Sequence, residues 1–427
     1  MDTDLSLPRG IRDVEPDDYQ LHERVQQAFL ESAALFNFRV MEPATLEHLA
    51  VLRAKSGADV DKEIYAFKDK GGREIGLRFD LTVGLTRYVC SRRDLKLPAK
   101  LACVGGVWRY DEPQRARYRF HTQWDAEIYG QPTVGSDAEV IDLGATVFRK
   151  LGLESVMIEI GDRRVVQEFI ERVLKVRDQD RIVELMRALD KVQKKSRAEL
   201  LREYAAKGFT EAALAELLDF GNLRGAPDKI LSSLGELGLE SAGELANLRD
   251  ILAGRGIKKF EYNLSIVRGI DYYTALVFEV VDGRHPDLGS LCGGGRYDLL
   301  PKTFGRSDLS ATGCAGGIDR AVLSLSREER YEARPLAFVA YASGEARAKA
   351  LQVLSQLRSE GVRTEFPLVD KSLGKQLEEA SGLGARWTII LGQKELARGV
   401  VTLRDMRDRS EKQLTFEDAL AQIRSAT

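Results

Sequence analysis

The sequence predicts an α+β fold with a smaller α/β domain at its carboxyl end. A chain of 427 residues is too long for one hydrophobic core, so two or three domains are expected. The first part contains strand-like segments joined by turn residues, and a long run of charged helical segments interrupts them. Beyond about residue 336, strands and helices alternate, which predicts a small domain with a mostly parallel sheet.

The amino-terminal part is predicted to contain an amphipathic helix and several paired strands. Residues 17–36 place apolar side chains at helical spacing. Ile64–Lys68 and Glu74–Phe79 flank Asp-Lys-Gly-Gly, which favours a hairpin. Ser136-Asp-Ala-Glu139 is interpreted as a capping box that begins a helix ending near Leu151. Further strands are predicted at Phe38–Met41, Leu101–Tyr110, Tyr118–Tyr129 and Val156–Ile160.

The middle of the chain is predicted to be a helical insertion, because strand signals fade from about residue 163 to 254. Strands resume after it, and the charged linker Arg327–Arg334 separates predicted domains at 1–330 and 331–427. The resumed strands are predicted at Phe260–Val267, Ala275–Val281 and near Thr312–Ala315, with a helix from Gly317. The second domain is predicted to contain strands at Leu336–Tyr341, near Arg363 and at Trp387–Leu391, with helices at 345–358 and 371–381.

Composition excludes several classes of protein. Hydrophobic residues make up 44% of the chain and charged residues 30%, which is typical of a soluble globular protein. No apolar run is long enough to span a bilayer, and Met1–Pro8 lacks the basic and apolar regions of a signal peptide. We therefore expect a cytoplasmic protein without a membrane partner.

A zinc site is not expected, because the cysteines lack Cys-x-x-Cys spacing and the histidines do not cluster. Reduced core thiols are the better interpretation of the cysteines. The cysteines are Cys90, Cys103, Cys292 and Cys314, and the histidines are His22, His48, His121 and His285.

The net charge of −2 argues against nucleic-acid binding that is dominated by charge. Local basic patches would still suit an RNA that is released in each turnover. One candidate patch is Lys191–Arg197. A solvated helix face or mixed surface charge is the alternative for each patch. The second patch comprises Arg398, Arg404, Arg407, Arg409 and Lys412.

Three sequence blocks contain the residues that indicate a chemistry. Arg268-Gly-Ile-Asp-Tyr-Tyr-Thr-Ala-Leu-Val-Phe-Glu279 leads an arginine, a carboxylate and two tyrosines into an alternating, strand-like run. The other two are Trp108-Arg-Tyr-Asp-Glu-Pro-Gln-Arg-Ala-Arg-Tyr-Arg119 and Gly313-Cys-Ala-Gly-Gly-Ile-Asp-Arg320. The first resembles the histidine-specific signature of histidyl-tRNA synthetases. The others resemble motifs 2 and 3 of class II aminoacyl-tRNA synthetases, in that family's order.

The resemblance runs almost from end to end, and it is weakest in the helical insertion. It implies a class II catalytic domain, with a mixed, mainly antiparallel sheet and flanking helices, followed by an anticodon-binding α/β domain. It also implies a homodimer with motif 1 near Phe38–Pro43 at the interface. Further matching segments are Pro8-Arg-Gly-Ile-Arg-Asp13, Ser290-Leu-Cys-Gly-Gly-Gly-Arg-Tyr-Asp298, Lys371-Ser-Leu-Gly-Lys-Gln376 and Ile390-Leu-Gly-Gln-Lys-Glu-Leu396.

The activity that the resemblance implies is that of a histidine–tRNA ligase, with L-histidine, ATP accompanied by Mg²⁺, and tRNA(His) as substrates. Negative charge develops around the α-phosphorus during adenylate formation, so preorganised cations are the expected catalysts. By resemblance, Arg109 and Arg268 contact the α-phosphate, with Arg268 substituting for a metal, and Arg320 holds ATP from the other side. Surface salt bridges are the alternative for any single arginine. The Mg²⁺ ligands are not identified.

Histidine selection needs buried polar groups that match an imidazole, because a wrong ligand leaves such groups unpaired. Gln123 and Glu127 are four apart on a predicted strand and share a face. Capping of the following helix is an alternative role for Asp80 and Thr82, compatible with histidine binding. By resemblance, the histidine-binding set is Asp80, Thr82, Arg109, Gln123, Glu127, Arg268, Tyr272 and Tyr273.

The ATP-binding set implied by the resemblance departs from the family pattern in places. His121 occupies the position of an aromatic ring that stacks on adenine, and an imidazole can also stack. Asp111 and Asp319 stand where glutamates are more frequent, so charge is kept and reach is lost. The set comprises Arg109, Asp111, Arg117, His121 and Arg320.

Two other functions compete with the ligase. One is a catalytically silent regulatory paralogue that senses histidine and partners ATP phosphoribosyltransferase. Such paralogues typically lack the anticodon domain and the full signature block, whereas this chain has both. The other is an adenylate-forming ligase that acts without tRNA, and the carboxyl-terminal domain argues against it.

Overall fold

The computed structural model describes residues 4–54, 60–110, 112, 118–192, 195–267, 273–326 and 337–425. The chain divides into two compact units, Met1–Tyr331 and Glu332–Thr427.

The first unit is organised around a nine-stranded sheet in the described part of the chain, and it also contains a small three-stranded sheet. The strands in chain order are β1 (Arg39–Val40), β2 (Leu46–His48), β3 (Ala66–Lys68), β4 (Glu74–Leu77), β5 (Ala99–Trp108), β6 (Phe120–Gly130), β7 (Val156–Asp162), β8 (Arg224–Gly225), β9 (Phe260–Asn263), β10 (Leu276–Asp282), β11 (Ser290–Tyr297) and β12 (Ser310–Gly317).

The order of the large sheet is β1-β5-β6-β12-β11-β10-β7-β9-β8, and the small sheet has the order β2-β4-β3. In the large sheet, the β1–β5 and β7–β9 pairs are parallel and the other pairs are antiparallel. The predicted mixed, mainly antiparallel sheet is therefore confirmed. The hairpin of β3 and β4 forms around the predicted turn.

Helices cover this sheet and fill the stretch between β7 and β9. The predicted helical character of about 163–254 is observed, with only β8 interrupting it in the described residues. The helices are α1 (Pro16–Leu35), α2 (Leu49–Arg53), α3 (Thr82–Ser91), α4 (Val134–Lys150), α5 (Arg163–Arg172), α6 (Gln179–Asp190), α7 (Arg197–Ala205), α8 (Glu211–Gly221), α9 (Pro227–Glu236), α10 (Ala242–Gly254), α11 (Leu299–Thr303) and α12 (Ile318–Ser326).

The predicted start of α4 is wrong. The helix is capped by Thr133, and Ser136 lies inside its first turn. The Ser136 hydroxyl accepts the backbone N–H of Thr133 at 3.2 Å. A serine at the third helical position therefore supplies the reciprocal bond for which a glutamate was expected.

Alternation along β6 separates the core from the polar face of the sheet. Trp124, Ala126 and Ile128 belong to the hydrophobic core that α1 and α4 cover. Phe29 of α1 stacks on Trp124 with ring centroids 4.7 Å apart. Burying one such aromatic side chain contributes roughly 1.5–3 kcal/mol. The alternate residues of β6, including Gln123 and Glu127, face the opposite side, so the core fixes the register of the polar groups.

The second unit contains one five-stranded sheet in its described residues, ordered β14-β13-β15-β16-β17. Strand β13 pairs in parallel with β14 and β15, whereas the β15–β16 and β16–β17 pairs are antiparallel. The elements are β13 (Ala337–Tyr341), α13 (Gly344–Ser359), β14 (Thr364–Glu365), α14 (Leu373–Gly382), β15 (Trp387–Leu391), α15 (Gln393–Arg398), β16 (Val401–Asp405), β17 (Glu411–Leu414) and α16 (Phe416–Arg424).

The expectation of a mostly parallel sheet holds for β14, β13 and β15, and the β15–β16 and β16–β17 pairs depart from it. The short connection 406–410 leaves no room for a crossover helix, so β16 and β17 must run antiparallel. Asp405 accepts the backbone N–H of Arg407 at 2.9 Å, and Arg409 adopts a left-handed conformation. These are turn features that charged residues concealed in the sequence.

Candidate active site

A cavity of about 300 Å³ opens on the polar face of the large sheet. The cavity draws together residues from β6, β10, β11, β12 and the start of α12. Five of the predicted site residues line it, namely Arg109, His121, Gln123, Tyr273 and Arg320. The other lining residues are Tyr118, Val277, Phe278, Glu279, Ser290, Leu291, Cys292, Gly293, Gly294, Ala315, Gly317 and Asp319.

The Arg109 guanidinium is oriented by two hydrogen bonds. Its Nε donates to the Phe79 carbonyl at 2.8 Å, and one terminal nitrogen donates to Gln123 Oε1 at 2.9 Å. A guanidinium has five N–H groups, so these bonds position it without using all of its donors. Arg109 therefore presents a fixed positive charge to the cavity.

Arg320 brings a second guanidinium to the same cavity from the first turn of α12. One terminal nitrogen donates to the Ser290 carbonyl at 2.8 Å. The amino end of a helix also favours negative charge. Two oriented arginines and a helix terminus make this cavity suitable for a polyanion such as a triphosphate.

His121 lies in the cavity as a neutral imidazole at physiological pH. Burial lowers its pKa to about 4, and the positive charge of Arg109 acts in the same direction. His121 is thus an uncharged ring on the cavity wall, and its contact with adenine stays a prediction.

The lowered pKa of His121 predicts a pH dependence of stability. Its ordinary pKa is 6.5, so between that value and about 4 the unfolded chain binds more protons than the folded one. The stability due to neutral His121 is present above about pH 6.5 and is lost as the pH falls. In urea denaturation, His121→Asn should remove up to about 3 kcal/mol of this decline. Parallel curves for the two proteins down to about pH 4 would contradict this.

Glu127 is 2% exposed and is not among the residues that line the cavity. Its Oε2 accepts the hydroxyl of Tyr297 at 2.7 Å, and that hydroxyl lies 3.4 Å from the Tyr129 hydroxyl. Burial raises the pKa of Tyr273 well above its ordinary value, and the charge of Glu127 raises it further. The structure therefore places a buried acid close enough to a protonated phenol to influence it.

Glycines on the neighbouring strands make room for these side chains. A Cβ on Gly313 would lie 1.5 Å from Glu127 Oε2, and a Cβ on Gly295 would lie 2.9 Å from the Tyr273 ring. A side chain at either position would force its neighbours to move. The glycine-rich sequences of β11 and β12 thus allow the acid and the phenol to lie against the sheet.

Gly313→Ala is expected to displace Glu127, since the added methyl group overlaps its carboxylate. We expect the histidine KM to rise by at least roughly tenfold, with a lower Tm from overpacking. The matched control is Gly235→Ala in α9, where a Cβ meets nothing within 4 Å. That change should leave histidine binding intact and should stabilise the helix by about 0.5–1 kcal/mol. An unchanged histidine KM in Gly313→Ala would refute the close packing.

Asp80 and Thr82 are buried but do not line the cavity. Asp80 Oδ1 accepts the Val83 backbone N–H at 3.0 Å, so the capping alternative holds for Asp80. The Thr82 hydroxyl instead donates to Asp125 Oδ2 at 3.0 Å. Their role in histidine binding remains a prediction.

Four predicted site residues lie outside the described residues: Asp111, Arg117, Arg268 and Tyr272. The charged linker 327–334 also lies outside them. The roles of these four side chains therefore stay predictions that rest on the family resemblance.

Sequence patterns did not assign roles to Tyr118, Glu279 or Ser290, which also line the cavity. Glu279 closes the first sequence block and pairs in register with Gly293 of β11. A strand acid that faces a run of glycines on the next strand could have been predicted to line a cavity, because the glycines leave space beside it.

In the described part of the predicted basic patch at Lys191–Arg197, the cations pair with acids. Lys191 and Lys195 each contact Glu203, at 2.7 and 2.5 Å, and Arg197 contacts Asp219 at 2.5 Å. In the second patch, Arg404 contacts Glu411 at 3.3 Å. These pairings favour the interpretation of mixed surface charge for the described part of the first patch and for Arg404 in the second.

Among the described residues, no group of three or more His, Cys, Asp and Glu side chains could hold a metal ion. Within the same part of the chain, no helix has the length and apolar character needed to cross a membrane.

Solved structures resemble this chain closely in fold. Histidyl-tRNA synthetase from Nostoc sp. PCC 7120 superposes with a TM-score of 0.88 over 100% of both chains, at 24% identity. An ATP phosphoribosyltransferase regulatory subunit/histidyl-tRNA synthetase from Bacillus halodurans C superposes with a TM-score of 0.76, over 91% of this chain and 99% of that one, at 24% identity. These likenesses show the α+β fold of class II synthetases.

Sequence comparison reaches further. A family model described as histidyl-tRNA synthetase matches residues 10–321, and one described as anticodon binding domain matches residues 336–426. The histidine–tRNA ligase of Pyrococcus abyssi is 34% identical over 426 residues, which cover 97% of this chain and 98% of that protein. That of Thermococcus kodakarensis is 34% identical over 431 residues, covering 98% of each. Because a family model spans most of the chain and these relatives align along nearly all of it, the chain belongs to the histidyl-tRNA synthetase family.

Proposed function

We propose that this protein is a histidine–tRNA ligase, which converts ATP, L-histidine and tRNA(His) into histidyl-tRNA, AMP and pyrophosphate. Full-length relatives with that activity and the match to an anticodon-binding model support the assignment. The observation that carries it is the convergence of Arg109 and Arg320 on one cavity that also contains Tyr273 and Gln123. The same cavity therefore contains two arginines that suit a triphosphate and two polar side chains that suit a small ligand.

In the first step, the histidine carboxylate attacks the α-phosphorus of ATP and pyrophosphate leaves. Arg109 is proposed to bind the α-phosphate, because Phe79 and Gln123 hold its guanidinium in place before the substrate arrives. Such preorganised charge is worth most in a cavity that excludes water. Arg320 is proposed to hold ATP, and the resemblance assigns Arg268 to the α-phosphate as well.

Histidine is proposed to be selected by Glu127 and Tyr273, with Gln123 at the cavity wall. A carboxylate and a phenol match the two nitrogens of an imidazole, and each would be left unpaired by an apolar amino acid. Asp80, Thr82 and Tyr272 complete the proposed histidine set by resemblance.

The adenine end of ATP is proposed to lie near His121, whose neutral ring can stack on the base. Asp111 and Arg117 belong to the same proposed contact set by resemblance.

Mg²⁺ is proposed to accompany ATP, and the oxygen donors present fit it. Glu279 and Ser290 both line the cavity, and Mg²⁺ is usually held by one or two carboxylates together with substrate phosphates. When bound, the ion neutralises phosphate charge. We propose Glu279 as its protein ligand, with the Ser290 hydroxyl beside it.

The organisation of the chain is proposed on the same basis. Residues 1–330 are proposed as the catalytic domain, with an insertion at about 163–254, and residues 331–427 as the anticodon-binding domain. A homodimer with Phe38–Pro43 at its interface and a cytoplasmic location are proposed on the resemblance alone.

Two assays test the function. Purified protein should exchange pyrophosphate into ATP only when L-histidine is present, and it should then charge a tRNA(His) transcript. A regulatory paralogue would fail the exchange assay, and a ligase that acts without tRNA would exchange but not charge. Charging of a different tRNA, or exchange with a different amino acid, would reject the assignment.

A further inference from the structure

The amino-terminal segment 8–13, which the proposed mechanism does not use, is bound to one end of the cavity. The Arg119 backbone N–H donates to the Gly10 carbonyl at 2.9 Å, and Ile11 N–H donates to the Pro8 carbonyl at 3.0 Å. Gly10 has a φ of +82°, which glycine adopts at little cost. The segment is thus a turn docked beside the start of β6, and it carries Arg12 toward the sheet.

Arg12 contacts two residues that line the cavity. One terminal nitrogen lies 2.6 Å from Asp319 Oδ1, and the guanidinium carbon lies 4.2 Å from the centre of the Tyr118 ring. A more distant carboxylate, that of Asp18, lies 3.6 Å away. Arg12 itself is not among the lining residues. Arg12 therefore acts on the cavity through its contacts with Asp319 and Tyr118, which do line it.

The buried carboxylate of Asp319 lines the cavity and would repel the phosphates of ATP. Thr122 donates its backbone N–H to Asp319 Oδ2 at 3.2 Å, and His22 Nε2 lies 3.7 Å from Oδ1. Burial lowers the pKa of His22 despite the opposing effect of Asp319, so His22 is a poor source of positive charge. Among these neighbours, Arg12 supplies the permanent cation.

We propose that Arg12 is a positioning residue for the nucleotide. It compensates the charge of Asp319 and holds Tyr118 and the first turn of α12, which carries Arg320, in the geometry that binds ATP. The inference rests on the proposed function for the identity of the ligand, and it deepens that function by adding a contact from outside the cavity.

The test compares Arg12→Ala, Arg12→Lys and the control Arg9→Ala. Arg9 lies in the same segment, but its ion pair with Glu112 is on the surface, with side chains 73% and 78% exposed. Equilibrium dialysis gives the Kd for ATP, and pyrophosphate exchange gives both KM values. We expect Arg12→Ala to weaken ATP binding roughly tenfold, as loss of a partly buried ion pair would. The histidine KM should stay within about twofold, since Glu127 is untouched.

Arg12→Lys should restore part of the ATP affinity, because lysine keeps the charge but loses the planar stacking surface. In an Asp319→Asn background, Arg12→Ala should cost less, since the carboxylate that needs compensation is gone. Thermal unfolding of each variant separates these effects from misfolding. Unchanged ATP affinity in Arg12→Ala, equal losses for ATP and histidine, or strictly additive effects with Asp319→Asn would overturn the proposal. If the unmodified chain shows no histidine-dependent exchange, the ligase assignment fails, while ATP dialysis still decides the role of Arg12.

Discussion

Arg109→Ala should lower kcat/KM for histidine-dependent pyrophosphate exchange by roughly 100- to 1,000-fold, the usual cost of removing one preorganised charge from a reacting centre. The guanidinium is fixed by Phe79 and Gln123 before any substrate binds, so its stabilisation of the developing charge costs no reorganisation. Arg109→Lys should recover little, because an ammonium cannot keep both bonds and still face a phosphate.

The control for this variant is Arg73→Ala. Like Arg109, Arg73 lies next to the end of a strand. It pairs with Asp69 on the surface, however, and its side chain is 70% exposed. Its loss should leave exchange unchanged, as expected for surface ion pairs. A fall of less than about threefold in Arg109→Ala, in a protein with normal Tm, would remove Arg109 from the catalytic step.

Glu127→Ala is expected to raise the histidine KM by roughly 100-fold or more while the ATP KM stays within about twofold. The change removes the carboxylate proposed for the imidazole and takes away the closer acceptor of the buried Tyr297 hydroxyl. Glu127→Gln keeps the volume and tests the charge alone. Separate titrations of histidine and ATP in the exchange assay measure both constants.

Asp282→Asn is the matched control for Glu127. Asp282 is another buried carboxylate of the same sheet, and it accepts hydroxyl hydrogen bonds from Ser155 and Ser324 at 2.7 and 2.6 Å. Its partners Ser155 and Ser324 lie outside the proposed histidine-binding set, so its change should affect stability more than histidine binding. If Glu127→Ala instead impaired ATP binding alone, the assignment of Glu127 to the histidine site would be wrong.

Sequence motifs predicted that several residues far apart in the chain belong to one site, and the fold brings these residues to one cavity. Arg109 and Arg320 are 211 positions apart and nevertheless line the same cavity, as do His121, Gln123 and Tyr273. This was possible because Arg109, Tyr273 and Arg320 lie in blocks whose order and spacing characterise a family. The strand alternation that places Gln123 and Glu127 on one face also followed from the sequence.

Other features depend on contacts that sequence patterns do not reveal. Whether Asp80 faces a ligand or caps a helix depends on where α3 begins. In the folded chain, the Asp80 carboxylate accepts the backbone N–H of Val83. The antiparallel end of the second sheet was missed, because a turn rich in Asp and Arg resembles surface charge. The link between Arg12 and Asp319 joins residues 307 positions apart and becomes visible only in three dimensions.

One cavity is proposed to bind both substrates, with the triphosphate at the arginines and the imidazole at Glu127 and Tyr273. A crystal structure of the chain with L-histidine and a non-hydrolysable ATP analogue would show both at once. We expect phosphate oxygens within hydrogen-bonding distance of Arg109 and Arg320, and imidazole nitrogens bonded to Glu127 or Tyr273. Histidine or the nucleotide bound in another cavity, with these side chains left uncontacted, would show that the proposal is wrong.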